Sequence, residues 1–172
     1  MKLVNFILFQ VGWFACILSG SHQQPLLMIG IAFPILIFHI IKAPAKDNAI
    51  KLILIIGLLG FIFDSSFNYF HLIDYKNHGV VPFWIVILWA LFASTLNLSM
   101  RWLRSNLILS TVFGCIGGPL SYLAGEKLNA IHIANDASLI ILGFGWAFAV
   151  PFCFELAKRW DGYPAIPRSN QP

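Results

Sequence analysis

The stretch KLILIIGLLGFIFDSSFNYFHLI, residues 51–73, decides the fold of this chain. No charged residue stands between Lys51 and Asp64, which makes the stretch too apolar for the face of a soluble helix. At about 1.5 Å per residue it is long enough to cross the ~30 Å hydrocarbon core of a bilayer. An ionisable group at the membrane centre costs about 2.5–3.5 kcal/mol on insertion scales, and such groups usually face the bundle interior. The stretch therefore predicts a membrane span with Asp64 turned toward protein.

The composition extends this interpretation to the whole chain. Of the 172 residues, 59% are hydrophobic and only 10% are charged, and the mean hydropathy is +0.80. These values are typical of a polytopic membrane protein. The net charge of +4 does not indicate nucleic-acid binding, because the Lys and Arg residues stand between apolar runs. The three cysteines lie in apolar segments without CxxC spacing, so neither a disulfide framework nor a metal site is expected.

Turn residues and polar links divide the chain into six apolar segments. The predicted fold is an all-α bundle of six transmembrane helices, which forms one domain over residues 1–157 and leaves residues 158–172 as a tail. The predicted spans are residues 3–20, 25–41, 51–72, 82–100, 106–125 and 137–157.

The basic residues predict the orientation of these spans. With six spans and a cytoplasmic N-terminus, nine of the eleven Lys and Arg residues lie on the cytoplasmic side, and only Lys76 and Lys127 lie outside. The nine are Lys2, Lys42, Lys46, Lys51, Arg101, Arg104, Lys158, Arg159 and Arg168. The positive-inside rule then predicts that both termini are cytoplasmic, so residues 158–172 form a cytoplasmic tail.

This orientation places several polar and aromatic residues at one depth. Asp64 and Asn68 are four residues apart on one face of span three, and they fall in its outer half. Trp89 of span four and Tyr122 of span five fall at a comparable depth. We therefore expect an intramembrane pocket in the outer half of the bundle, between spans three, four and five, with these four residues in it.

Span five contains a cluster of helix-packing residues. Gly114 and Gly118 have the small-xxx-small spacing that lets two helices approach closely. Gly117, Gly118 and Pro119 follow one another inside the span, which predicts a broken helix whose freed carbonyl groups meet neighbouring side chains or a cavity.

Sequence motifs for enzymatic chemistry are absent. His71, Asp74 and His78 would share a helical face, but Gly79 and Pro82 indicate a loop there, so no metal and no cofactor are expected. The chain has no phosphate-binding glycine loop, no GxSxG and no HExxH.

The segments PFWIVILWALFASTLNLSMRWL and GCIGGPLSYLAGEKLNA resemble a family of small proteobacterial inner-membrane proteins that is classed only as a domain of unknown function, DUF2878-like. The resemblance covers nearly the whole chain. The matching positions are Asp64, Trp89, Phe92, Leu96, Trp102, Gly117, Gly118, Pro119, Tyr122 and Gly125. It implies a multi-pass protein of the bacterial inner (cytoplasmic) membrane and a link to lipid metabolism, without naming a reaction.

Several functions fit this sequence. The first is a binding, transport-related or auxiliary protein of the lipid bilayer that holds a lipid or other apolar ligand near Asp64, as a homo-oligomer or beside a membrane enzyme. The second is an enzyme that acts on a lipid or isoprenoid, with Asp64 as general acid or base and Tyr122 or Asn68 positioning the substrate. The third is a structural partner of another membrane enzyme. A purely structural Asp64, paired to a neighbouring hydroxyl or amide, remains open as well.

The charge distribution makes the orientation testable. A reporter that is active only in the periplasm should be silent when it is fused after Arg159 or within residues 42–51, and active within residues 74–79. Activity of the fusion after Arg159 would contradict a cytoplasmic C-terminus.

Overall fold

The computed structural model describes residues 1–76 and 80–164, and most of them are helical. The helices are α1 Lys2–His22, α2 Pro25–Lys42, α3 Lys46–Tyr69, α4 Phe83–Leu96, α5 Leu107–Lys127 and α6 Asp136–Arg159. Two short strands, β1 Ile73–Asp74 and β2 His132–Ile133, pair antiparallel with Ile73 opposite Ile133. The predicted all-α class with six helices is confirmed.

Five helices are long and apolar enough to cross a membrane, so the chain is a multi-pass membrane protein. The exception is α4, whose 14 residues extend only about 21 Å. It lies at the centre of the bundle, where it packs against α1, α2, α3 and α6. Its sequence is almost uniformly apolar because nearly every face of the helix contacts another helix.

The helix α4 ends before the predicted limit of span four at residue 100. Asn97 caps it, and turns lead from there to a 3-10 turn at Leu103–Ser105. The side chain of Asn97 donates to the carbonyl oxygen of Ala157 on α6, and the Ser99 hydroxyl donates to Asn5 on α1. Asn and Ser often exchange helical hydrogen bonds for such contacts, which explains the early end.

The contacts between the ends of the helices show that successive helices run in opposite directions. At one end, which we call the basic end, Asn5 at the start of α1 donates to the carbonyl oxygen of Ser94 near the end of α4. Ala45, between α2 and α3, also packs there against Gly162, just beyond α6. At the opposite end, which we call the strand end, β1 and β2 join the α3–α4 and α5–α6 links. The arrangement is that of a six-helix bundle with alternating directions, and its sidedness stays a prediction.

An ion-pair cluster at the basic end fixes the beginning of the tail. Both Arg101 and Arg104 donate to Asp161 Oδ2, at 2.7 and 2.6 Å, and these side chains are largely buried. Arg104 also donates to Asn97, which places the end of α4 against the end of α6. Sequence reasoning used the two arginines as topology signals and did not identify Asp161 as their partner.

The strand end contains a tight reversal of the chain. After α3 ends at Tyr69, His71 adopts a left-handed backbone with φ 54°, and Asp74 lies in β1. These two residues therefore do not continue one helical face, and His78 lies outside the described residues. On the opposite link, Glu126 accepts a hydrogen bond from the backbone N–H of Ile133 and so holds β2 in place.

Proline disturbs α2 and α5 in different ways. In α2, Met28–Ala32 forms a π-helical segment just before Pro34, which lacks the N–H that would bond the Gly30 carbonyl. In α5, by contrast, the helix continues through Pro119, so the predicted break is wrong. Pro119 has no N–H, so the carbonyl oxygen of Cys115 lacks its helical hydrogen bond. Both this oxygen and the ring of Pro119 lie beside Gly143 of α6. A Cβ at Gly143 would lie only 3.2 Å from that oxygen, so this glycine makes room for it.

The glycines of α5 divide between two faces. Gly114 and Gly118 face α6, where a Cβ on Gly118 would lie 2.2 Å from Cγ of Trp146, and one on Gly114 would lie 2.2 Å from the Trp146 carbonyl oxygen. Gly117 faces away, and a Cβ there would meet only the Phe113 ring at 3.7 Å. Close approach of α5 and α6 therefore depends on Gly114 and Gly118.

Two neighbouring substitutions test this division. Gly118→Ala should destabilise the protein by about 1–3 kcal/mol, because its methyl group collides with Trp146 in a packed interface. Gly117→Ala should leave stability unchanged or slightly raised, because alanine is the better helix former and has room. Thermal unfolding in detergent measures both, and equal melting temperatures would show that α5 does not pack through Gly118.

Candidate functional site

Asp64 is completely buried, with 0% of its surface exposed, and it accepts hydrogen bonds from three side chains. The hydroxyl groups of Tyr75 and Tyr122 both donate to Oδ1. The indole N–H of Trp89 donates to Oδ2. The donors come from the α3–α4 link, from α4 and from α5, so one carboxyl group joins four parts of the bundle. None of these three donors is a Lys or Arg side chain.

Gly60 positions Trp89 for this contact. It precedes Asp64 by one helical turn on the same face of α3. A Cβ on Gly60 would lie 2.0 Å from Cγ of Trp89, so the indole packs directly against the helix backbone there. From this position the ring extends along α3 to Asp64, which any larger residue at position 60 would prevent.

Tyr75 is the site residue that sequence reasoning missed. It follows β1 in a polar link, where its exposure would be expected, yet it is only 2% exposed because the chain reverses at His71 and turns it back into the bundle. Burial, and then the neighbouring Asp64 carboxyl, raise the pKa of Tyr75 well above its usual value. Tyr75 therefore remains a protonated donor. The only sequence signal was an aromatic residue in a short link directly after the span that contains Asp64.

Aromatic rings surround this carboxyl group. Trp89 stacks on Trp146, with centroids 4.7 Å apart and planes 12° apart. Phe63 and Phe92 each meet both tryptophans edge-on. The Trp146 N–H is buried and near the Tyr122 oxygen, but it completes no hydrogen bond with it. The rings shield the Asp64 hydrogen bonds from lipid and hold Trp89 and Tyr122 in one orientation.

A cavity of about 540 Å³ lies directly beside this network. Its lining comes from α1, the α4 helix and the turns after it, α5, the α5–α6 link and α6. Trp89 and Tyr122 form part of the lining, while Asp64 lies behind them. No α3 residue lines it. We expected a pocket between spans three, four and five, whereas the wall of the observed cavity is formed by α1 and not by α3. Along α1 the cavity runs from Phe6 to Ile17, on both sides of the helix midpoint. It is therefore not confined to the outer half of the bundle.

The structure thus brings three of the four expected site residues together. Asp64, Trp89 and Tyr122 are in direct contact. Asn68 is half-buried one turn further along α3, and it neither hydrogen-bonds Asp64 nor lines the cavity. The sequence placed Asn68 on the correct face, but α3 ends one residue later and the loop brings Tyr75 to Asp64 instead. Among residues 1–76 and 80–164, no three His, Cys, Asp or Glu side chains form a candidate metal site.

Substitutions at Asp64 test the network. Asp64→Leu leaves three buried donors without an acceptor and should cost about 2–5 kcal/mol of stability. Asp64→Asn should cost much less, because the amide oxygen still accepts from Trp89 while the amide nitrogen donates to the tyrosine oxygens. Thermal unfolding in detergent compares the two, and equal losses would show that the hydrogen bonds to Asp64 contribute little.

Comparison with known proteins places the chain in a family without assigning an activity. No curated protein and no solved structure gives a significant match. A family whose description reads "Protein of unknown function (DUF2878)" matches residues 2–152, which is most of the chain. This extent of match agrees with the resemblance found in the sequence, and the chain belongs to the DUF2878 family.

Proposed function

We propose that the protein binds a lipid or another apolar molecule in the cavity beside Asp64, as a binding, transport-related or auxiliary protein of the membrane. The cavity is the observation that carries this proposal. Its volume of about 540 Å³ falls within the roughly 300–1,000 Å³ typical of ligand pockets. Eleven of its 27 lining residues are aromatic and none is charged, which favours an uncharged apolar occupant.

The shape of the cavity fits an extended chain. It follows α1 from Phe6 to Ile17, which corresponds to about 16 Å along the helix axis. This is about half of the ~30 Å hydrocarbon core, and it lies across the midpoint of α1 at Gly12. A single hydrocarbon chain that enters from the surrounding lipid therefore matches the cavity in length and polarity.

The network around Asp64 supports binding better than catalysis. An occupant of the cavity meets Trp89 and Tyr122, whereas Asp64 lies behind them without exposed surface. General acid or base catalysis by Asp64 would have to pass through the Tyr122 hydroxyl, since a catalytic group must lie within hydrogen-bond reach of its substrate. In the binding function, Asp64 holds the two aromatic side chains of the lining in place.

Mass spectrometry of lipids that co-purify with the protein tests this proposal. The wild-type protein in detergent should retain a defined apolar species in stoichiometric amount. Gly117→Leu places a bulky side chain in the cavity without a close contact elsewhere and should remove that species. Gly30→Leu is the matched control, because Gly30 lies outside the cavity and a Cβ there meets nothing within 4 Å.

Three results would contradict the proposal. The first is a wild-type protein whose lipid content equals that of the bulk membrane. The second is a Gly117→Leu variant that keeps the bound species. The third is turnover of an added lipid by the purified protein in nanodiscs, which would favour the enzyme over the binding protein.

A further inference from the structure

The amide of Gln10 differs from the other hydroxyl and amide groups on the cavity lining. The hydroxyl groups of Thr95, Ser99, Ser121 and Tyr122 each donate to a protein acceptor. Gln10 is exposed and has no hydrogen-bond partner among residues 1–76 and 80–164. Both its donor and its acceptor are therefore available at the surface of the cavity.

Gln10 is also the polar centre of an otherwise apolar helix face. Residues at i−4, i+3, i+4 and i+7 from it share its side of α1. These positions are Phe6, Trp13, Phe14 and Ile17, and all four line the cavity. Gln10 therefore lies on the face of α1 that lines the cavity.

The depth of Gln10 makes an unpaired amide costly. The midpoint of α1 is Gly12, only two residues or about 3 Å away along the helix axis. The nearer edge of the ~30 Å hydrocarbon core is about 12 Å from Gln10, which is farther than a glutamine side chain extends. A polar group without a partner in hydrocarbon is strongly unfavourable, so a hydrogen-bonding partner is expected in the cavity.

We infer that Gln10 hydrogen-bonds an uncharged oxygen group of the ligand, so that the ligand is a neutral long-chain lipid with a carbonyl, ester or hydroxyl group and not a pure hydrocarbon. The inference rests on the proposed binding function and adds the chemical class of the ligand. A charged group is excluded from this position, because no lining residue carries a charge to compensate it.

A competition between two probes tests the inference. One is a straight-chain methyl ketone, and the other is the n-alkane with the same number of heavy atoms. Native mass spectrometry of the detergent-solubilised protein, with both probes at equal mole fraction, reads the ratio of the two bound forms. The wild-type protein should prefer the ketone about fivefold, which is the value of one neutral hydrogen bond. Gln10→Leu should bind both probes equally, because it keeps the apolar contacts and removes the amide.

Ser121→Ala is the matched control. Ser121 also lines the cavity, but its hydroxyl already donates to the Gly118 carbonyl oxygen, so the ketone preference should remain about fivefold in this variant. Loss of the preference in Ser121→Ala as well would show that cavity polarity in general, and not Gln10, selects the ketone.

The possible failures are distinguishable. If the wild-type protein binds neither probe, the proposed binding function fails together with the inference. If the wild-type protein binds both probes equally, or if Gln10→Leu keeps the preference, only the assignment to Gln10 is overturned. If the wild-type protein is a dimer that Gln10→Leu dissociates, and neither form prefers the ketone, the partner of the amide is a second copy of the chain and the inference is wrong.

Discussion

The buried carboxyl group of Asp64 is the constraint on which the rest of the bundle depends. In hydrocarbon it requires donors from protein, and it obtains them from Tyr75, Trp89 and Tyr122 on three different elements. Satisfying one acceptor therefore fixes α3, the α3–α4 link, α4 and α5 relative to one another. The folded-back link is part of this arrangement, since β1 and β2 hold the chain reversal that turns Tyr75 inward.

Glycine residues allow aromatic side chains of one helix to pack directly against the backbone of the next. A bilayer provides no hydrophobic drive between apolar helices, so their association relies on close packing. Trp84 packs against Gly20, Trp89 against Gly60 and Trp146 against Gly118, and in each pair a Cβ on the glycine would lie within 2.5 Å of the indole. On α5, small residues at i, i+4 and i+8, namely Gly117, Ser121 and Gly125, also line the cavity. The same helix thus packs tightly on one side and leaves space on the other.

The sequence predicted the elements better than their contacts. Hydropathy and turn residues indicated six helices, and the depth of Asp64 placed Trp89 and Tyr122 beside it. Tyr75 could not be predicted, because its burial follows from the reversal at His71 and the pairing of strands about 60 residues apart. The break expected at Pro119 was wrong for a similar reason, since the freed Cys115 carbonyl meets Gly143 on another helix. Local sequence patterns indicate where a helix forms. Whether a distant residue accommodates a backbone group that has lost its helical hydrogen bond depends on the assembled fold.

Hydrogen-bond satisfaction distinguishes Asp64 from Gln10 inside the bundle. Asp64 is ionisable, and the sequence therefore indicated a candidate site there. Its three hydrogen-bond donors are all supplied by the protein, which is typical of a structural group. Gln10 carries no charge, yet it lines the cavity near the midpoint of α1 and its amide has no hydrogen-bond partner among the described residues. In hydrocarbon an unmet polar group needs a partner from outside the chain, whereas a satisfied one does not. In the proposed binding function, α1 and the cavity recognise the ligand, and Asp64 holds the opposite side of that cavity in place.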